Sequence, residues 1–317
     1  MSSPLQVGII GLGPRYQKRY KTALLRRADR FAVRAVCDQV QQRALGEAKQ
    51  LGCAAVAGPT EMFERADVEA LLLLDLQWYR LWPLELVCRY KKPVYCCDML
   101  ARDNAYADLI YERLKECKLP VLMAMTPRFM PASSFLRELV DGQLGPPRML
   151  LCDYTEPWRR RRPPHPAPPA GELDILGSAL LDWCSSLMEG QPTSVQAARA
   201  GSGEMHSLFL KFAEDRAIQF TCRRGPGLRR GVRLQVIGAD QSASVELPHR
   251  ISWSDARGDH TLTLRPRLSV IDQLLDKFWQ TVRCGTPPEP GIRESYRVLG
   301  WLRAGQRSAA ERREIGL

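Results

Sequence analysis

The sequence predicts an α/β protein: an N-terminal doubly wound parallel sheet, then an α+β domain with an open, largely antiparallel sheet. Three observations carry this. Short apolar runs alternate with helical patterns of about 10–15 residues through the first part of the chain, the rhythm of βαβ units. Strand-like runs then recur at spacings of about 8–12 residues, as in an antiparallel sheet. Finally, 317 residues exceed what one core needs and suit two domains, expected at 1–127 and 128–317.

The elements follow in order. Residues 6–10 form an apolar run ending at Gly11, and 16–27 read as a polar helix with Tyr20, Ala23 and Leu24 inward. Residues 31–37 are β-rich, and 40–51 form a helix closed by Gly52. A short strand at 54–56 and a helical turn at 60–65 precede the wholly apolar run 70–74, as a strand covered on both faces requires. Helix 82–90, strand 94–97, helix 104–117 and strand 121–125 complete the first half. The second half begins with a strand at 148–154. Arg159, Arg160, Arg161 and Arg162 then lead into Pro163, Pro164, Pro166, Pro168 and Pro169, a stretch that can be neither helix nor central strand. Helix 175–188 is followed by strands at 194–200, 206–212, 217–222, 232–237, 243–247, 250–253 and 260–264, and by helices at 270–283 and 294–312.

Composition narrows the function classes. Apolar residues make up 45% and charged residues 26%, a globular balance. The net charge of +11 raises nucleic acid as a partner, but the excess is spread, 19 Lys and Arg against 14 Asp and Glu up to residue 127 and 27 against 21 beyond it. A diffuse surplus without a basic stripe argues against a nucleic-acid ligand. No run of about 18 apolar residues exists, so no membrane span is expected. The N-terminus lacks a basic region followed by an apolar stretch, so no secretory signal is expected. Ten cysteines are scattered through apolar segments without Cys-x-x-Cys spacing, and there are only four histidines. No metal site is expected, and a reducing, cytoplasmic setting fits.

The chemistry concentrates at the first turn. Gly11-Leu12-Gly13-Pro14-Arg15-Tyr16 follows a strand and opens a helix, the context of a dinucleotide fingerprint and of a Rossmann domain. Gly11 permits the tight turn, Gly13 lets the backbone approach a pyrophosphate, and Pro14 suits the first helical position. Tyr16 replaces the third glycine, so helix and strand cannot pack as closely there. Asp38 ends the second strand, placed for a ribose 2′-hydroxyl, which favours NAD over NADP. The expected cofactor set is thus Gly11, Leu12, Gly13, Arg15, Tyr16 and Asp38, with Asp75 and Gln77 at the end of the fourth strand. Trp78 and Arg80 lie just beyond, at the expected ligand crevice. Cys96-Cys97 at the sheet's carboxyl edge reads either as a redox pair or as a buried structural pair.

The whole layout resembles the glucose–fructose oxidoreductase and inositol dehydrogenase family (Gfo/Idh/MocA). The resemblance rests on the first turn, on Val94-Tyr95-Cys96-Cys97-Asp98-Met99, on Arg128-Phe129 with Pro131 and Gly142-Gln143-Leu144-Gly145, on Val236-Ile237-Gly238-Ala239-Asp240, and on 278–288. It implies NAD(P)-dependent oxidation of a sugar or polyol, and a homodimer or higher assembly through the second domain's open sheet. The resemblance also exposes departures. Family members that transfer hydride use the lysine of Glu-Lys-Pro, where this chain has Cys97, Asp98 and Met99. An aspartate opposes the charge a developing alkoxide needs stabilised. The Asp-x-Gly-x-His-x-x-Asp signature keeps Gly177 and Asp182, but its first Asp is Ile175 and its His is Ala179, which cannot carry a proton. The family's Thr-Pro-Asn becomes Asp75-Leu76-Gln77.

Two readings stand open. One is an NAD(P)-binding protein whose catalytic apparatus is silent or altered, a sensor or partner subunit. The other is an active oxidoreductase on a sugar-like polyol using displaced acids, with Asp98, Asp174 and Asp182 as candidates. Arg128 and Arg159 are candidates for gripping a small anionic or sugar-like molecule at the cleft. Binding of neither dinucleotide remains a third outcome.

Overall fold

The computed structural model describes residues 3–76, 78–157, 175–201, 205–266 and 268–317. It divides into two compact units, Met1–Ala124 with Leu268–Tyr296, and Met125–Arg267 with Arg297–Leu317.

The first unit holds six parallel strands: β1 (Leu5–Ile10), β2 (Phe31–Cys37), β3 (Ala54–Ala55), β4 (Ala70–Leu73), β5 (Val94–Cys96) and β6 (Val121–Met123). Their order is β3-β2-β1-β4-β5-β6, the doubly wound order whose direction reverses between β1 and β4. Every residue of β4 is buried, as expected for a strand covered on both faces. The crossovers are α1 (Lys21–Arg26), α2 (Gln41–Leu51), α3 (Pro59–Glu64), α4 (Trp82–Tyr90) and α5 (Ala107–Cys117). The segment leading into α1 departs from a uniform helix: Tyr16–Tyr20 winds as a π turn, with Tyr16 and Tyr20 both buried. The wider turn accommodates two tyrosines where closest helix–strand packing needs a glycine.

In the second unit, α6 (Pro131–Leu139) and a π turn at Val140–Leu144 occupy a segment for which the sequence predicts no element. The remaining elements are β7 (Met149–Pro157), α7 (Ile175–Leu187), β8 (Ser194–Ala200), β9 (Met205–Lys211), β10 (Ala217–Gly225), β11 (Gly231–Ile237), β12 (Ser242–Glu246), β13 (Arg250–Asp255) and β14 (Gly258–Thr263). From the first unit's returning helix α8 (Val270–Cys284) the chain passes to α9 (Ile292–Glu311), which belongs to the second unit from Arg297 onward, and to β15 (Ile315–Gly316). The sheet runs β14-β13-β12-β11-β7-β10-β9-β8-β15, antiparallel except between β7 and β10.

One face of this sheet makes the core. Leu150, Tyr154, Leu210, Phe220, Leu234 and Val236 pack with Leu136 of α6, Trp183 of α7 and Trp301 of α9. Along β11 burial alternates, Leu234 and Val236 inward against exposed Arg233, Gln235 and Ile237, so the sheet's other face is open. Among the described residues no helix is long and apolar enough to cross a membrane, and no group of three or more His, Cys, Asp or Glu could hold a metal. The expectation of thiols throughout is corrected at one place. Packing of α4 beside α5 brings Cys88 and Cys117, 29 residues apart, into a disulfide with Cα atoms 5.6 Å apart.

Candidate functional site

The glycine turn sits where β1 and β4 part. Gly11 adopts φ +92°, donates its N–H to the Cys37 carbonyl at 2.9 Å, and lies so close to the Asp75 backbone that a Cβ would fall 2.6 Å from its nitrogen. Only glycine satisfies both demands. A Cβ on Gly13 would collide with the Asp75 carboxylate, whose Cγ would be 3.2 Å away. The two strand-end loops are joined further by Leu74 N–H on the Ile10 carbonyl, 2.9 Å.

Asp38 ends β2 with its carboxylate already engaged. It accepts from Leu12 N–H at 2.7 Å and Val40 N–H at 2.9 Å, and pairs with Arg43 Nη1 at 3.0 and 3.1 Å. It therefore braces the glycine turn from the strand end where a ribose contact is expected. Sequence reasoning missed Arg43. Its signal was present, a basic residue in the first turn of the helix after Asp38, where an arginine accommodates a 2′-phosphate.

Arg15 crosses the carboxyl edge of the sheet. Its Nη1 donates to the Leu74 carbonyl at 2.8 Å, the Cys97 carbonyl at 3.3 Å and Asp98 Oδ1 at 3.4 Å. Burial works against its charge, but Cys97 and Asp98, with Tyr20 and Asp75, more than restore it and hold its pKa above the ordinary value. Asp98 is 2% exposed, and its second oxygen accepts from Leu76 N–H at 3.2 Å. Cys97 donates to Tyr20 Oη at 3.1 Å, and the Tyr20 and Tyr95 hydroxyls meet at 2.7 Å. Burial pushes the Cys97 thiol up to about 11 even with Arg15 drawing it down, so it is protonated at neutral pH. Cys96 and Cys97 are both free and buried, the structural alternative of the two readings. Tyr16, counted with the cofactor set, is 1% exposed and gives its hydroxyl to Glu47 at 2.7 Å. Its side chain belongs to the packing beneath the turn.

Beyond β4, Trp78 is 56% exposed, while Arg80 has φ +51°, donates its N–H to the Leu76 carbonyl at 2.6 Å and lies 3.5 Å from Asp103. Gln77, Arg159 and Asp174 lie outside the described residues.

In the second unit Asp182 of α7 is fully buried. Arg128, in the turn Thr126–Phe129, grips both its oxygens, Nε to Oδ2 at 2.6 Å and Nη2 to Oδ1 at 2.7 Å. Ala179 stands one helical turn before it, also buried.

No family model matches the chain. Inositol 2-dehydrogenase of Mycolicibacterium gilvum (strain PYR-GCK) is 25% identical over 300 residues, covering 89% of this chain and 84% of that protein. Among solved structures, a putative myo-inositol dehydrogenase from Sinorhizobium meliloti 1021 superposes with a TM-score of 0.79 at 21% identity, covering 98% of this chain and 99% of that one. In sequence the chain is thus similar to an inositol dehydrogenase, and in fold to sugar and polyol dehydrogenases. A levoglucosan dehydrogenase, solved in complex with NADH and L-sorbose, shares the fold at a TM-score of 0.85 with 15% identity over 99% of both chains.

The positions that the sequence resemblance aligns with hydride chemistry can now be placed. Asp98, expected at the position of the Glu-Lys-Pro lysine, is hydrogen-bonded to Leu76 N–H and Arg15, and Ala179 holds the position expected for the signature histidine. The glycine turn and Asp38 fit the adenosine half of a dinucleotide. The carboxylate of Asp75 against Gly13 does not fit its pyrophosphate.

Proposed function

We propose that the chain is a nicotinamide-dinucleotide-binding member of its family in which the hydride-transfer apparatus has given way to structural ion pairs, leaving a catalytically silent sensor or partner subunit. One observation carries the reading: Asp98 and Asp182, the described acids left at the catalytic positions, are both buried and both paired with arginine. A carboxylate buried against a guanidinium has its oxygens taken up inside the protein and turned away from a substrate, so neither replaces the missing lysine or histidine. The bound dinucleotide would supply a hydride carrier, while these residues supply only shape and charge.

The ligand class we infer is a small polyol or sugar, as its relatives' names indicate, with NAD ahead of NADP because Asp38 stands at the ribose. We also infer a dimer or larger assembly through the open sheet face, checked by light scattering, and a cytoplasmic location, for which eight free cysteines speak and the disulfide speaks against.

The test is a fluorescence titration with NADH and NADPH, followed by a polyol screen at the nicotinamide absorbance band. Binding without turnover is the expected result. Turnover with any polyol overturns the silent reading, and no binding of either dinucleotide overturns the cofactor assignment.

A further inference from the structure

We propose that the pyrophosphate seat of the Rossmann unit is held shut by the chain's own Asp75, so that a dinucleotide must displace an internal carboxylate to bind. This rests on the dinucleotide reading above and adds what controls it. The second glycine of the fingerprint is small so that backbone and pyrophosphate can touch. Here the space that a Cβ on Gly13 would enter already holds Asp75 Oδ2, with Cγ 3.2 Å and Cβ 3.6 Å from that position. The group occupying the phosphate's line of approach is itself an anion.

The backbone around Asp75 is fixed on both sides. Leu74 donates to the Ile10 carbonyl at 2.9 Å and accepts from Arg15 Nη1 at 2.8 Å. Leu76 donates to Asp98 at 3.2 Å. The Asp75 backbone also packs directly on Gly11, where a Cβ would lie 2.6 Å from its nitrogen and 2.8 Å from its carbonyl carbon. Rotation of the Asp75 side chain would clear the seat. Arg15, a cation on the same turn and so the natural counter-charge for a diphosphate, is already committed to two carbonyls and Asp98. The seat is thus filled by an internal carboxylate, and the cation on the same turn already has internal partners.

The experiment is calorimetric binding of NADH, ADP-ribose and adenosine to the full-length wild type, Asp75→Ser and Asp75→Asn, each checked by thermal melting. Asp75→Ser removes charge and bulk, while Asp75→Asn keeps the shape and removes the charge alone. The expected result is at least about tenfold tighter binding of NADH and ADP-ribose to Asp75→Ser, a smaller gain for Asp75→Asn, and no change for adenosine, which carries no phosphate. Equal NADH affinity in wild type and both variants overturns the proposal and leaves the dinucleotide reading intact. An equal gain for adenosine also overturns it, since the effect would not lie at the phosphate. If neither wild type nor either variant binds any of the three, the proposal and the dinucleotide reading fall together.

Discussion

Arg15 and Asp98, 83 residues apart in the chain, meet at 3.4 Å across the carboxyl edge of the parallel sheet. With the contacts of Arg15 to the Leu74 and Cys97 carbonyls and of Asp98 to Leu76 N–H, the pair braces the glycine turn against the loops after β4 and β5. On the proposed reading this brace stands where the resemblance expects a lysine.

Replacing Asp98 by lysine, the residue the family carries there, therefore destabilises this chain. A second cation would face Arg15, and Leu76 N–H would lose its acceptor. The expected loss is about 2–4 kcal/mol by urea denaturation, because a buried charge loses its partner. Asp98→Asn, which keeps an oxygen for Leu76, costs less. Unchanged stability of Asp98→Lys would show that the pair holds nothing together.

Arg128 and Asp182 make the corresponding brace in the second unit, with both carboxylate oxygens engaged. Asp182→Ala strands a cation and costs about 3–5 kcal/mol. An Arg128→Met, Asp182→Leu double variant recovers most of that loss, since an apolar pair has no charge to desolvate. A double-mutant cycle by chemical denaturation measures both, and additive losses would refute the coupling.

Beneath the turn, Glu47 is 5% exposed and receives Tyr16 Oη at 2.7 Å and Lys21 Nζ at 2.8 Å. Burial alone would raise its pKa, but the hydrogen bonds from Lys21, Tyr16 and Gln17 outweigh it and hold Glu47 below the ordinary 4.5. A lowered folded-state pKa adds stability above the unfolded value, and that stability is lost as pH falls through the folded value. Tyr16→Phe is thus expected to cost about 1–2 kcal/mol at pH 7 and less at pH 3. Equal costs at the two pH values would contradict this.

Arg43 pairs at 3.0 Å with Asp38, the residue expected at the ribose. Arg43→Ala is expected to weaken NADPH about tenfold relative to NADH, the order of one charge-assisted hydrogen bond. Parallel titrations decide it, and an unchanged ratio would remove Arg43 from cofactor choice.

The disulfide between Cys88 and Cys117 predicts eight titratable thiols in the unfolded, unreduced protein and ten after reduction. A count of ten before reduction would exclude the bridge. Closing a loop of this length is worth about 3.6 kcal/mol, which the Cys88→Ser, Cys117→Ser protein should lack.

The elements were legible in the sequence because their signal is local. The apolar run of β4 and the two-residue alternation of β11 declare strands wherever they occur. The turn Gly11-Leu12-Gly13 announced a nucleotide fold because strand, glycines and helix are contiguous. α6 escaped because it spans nine residues, including Ser133 and Ser134, although Pro131 at its first position and Ala132, Leu136 and Leu139 on its buried side mark a helix start and an inward face.

By itself the sequence determined the two sheets and the order of most of their strands and helices, because these signals are local. The tertiary structure alone decided what the remaining charged groups do. Asp98 and Asp182, read as candidate acids, and Asp38, read as a ribose contact, are each fixed by a partner: Arg15, Arg128 and Arg43. Asp75, 62 positions from Gly13, ends against it. Covalent neighbours govern local conformation, whereas the role of a carboxylate depends on which cation, amide or cavity the fold brings within a few ångströms, and burial strengthens that partner's effect.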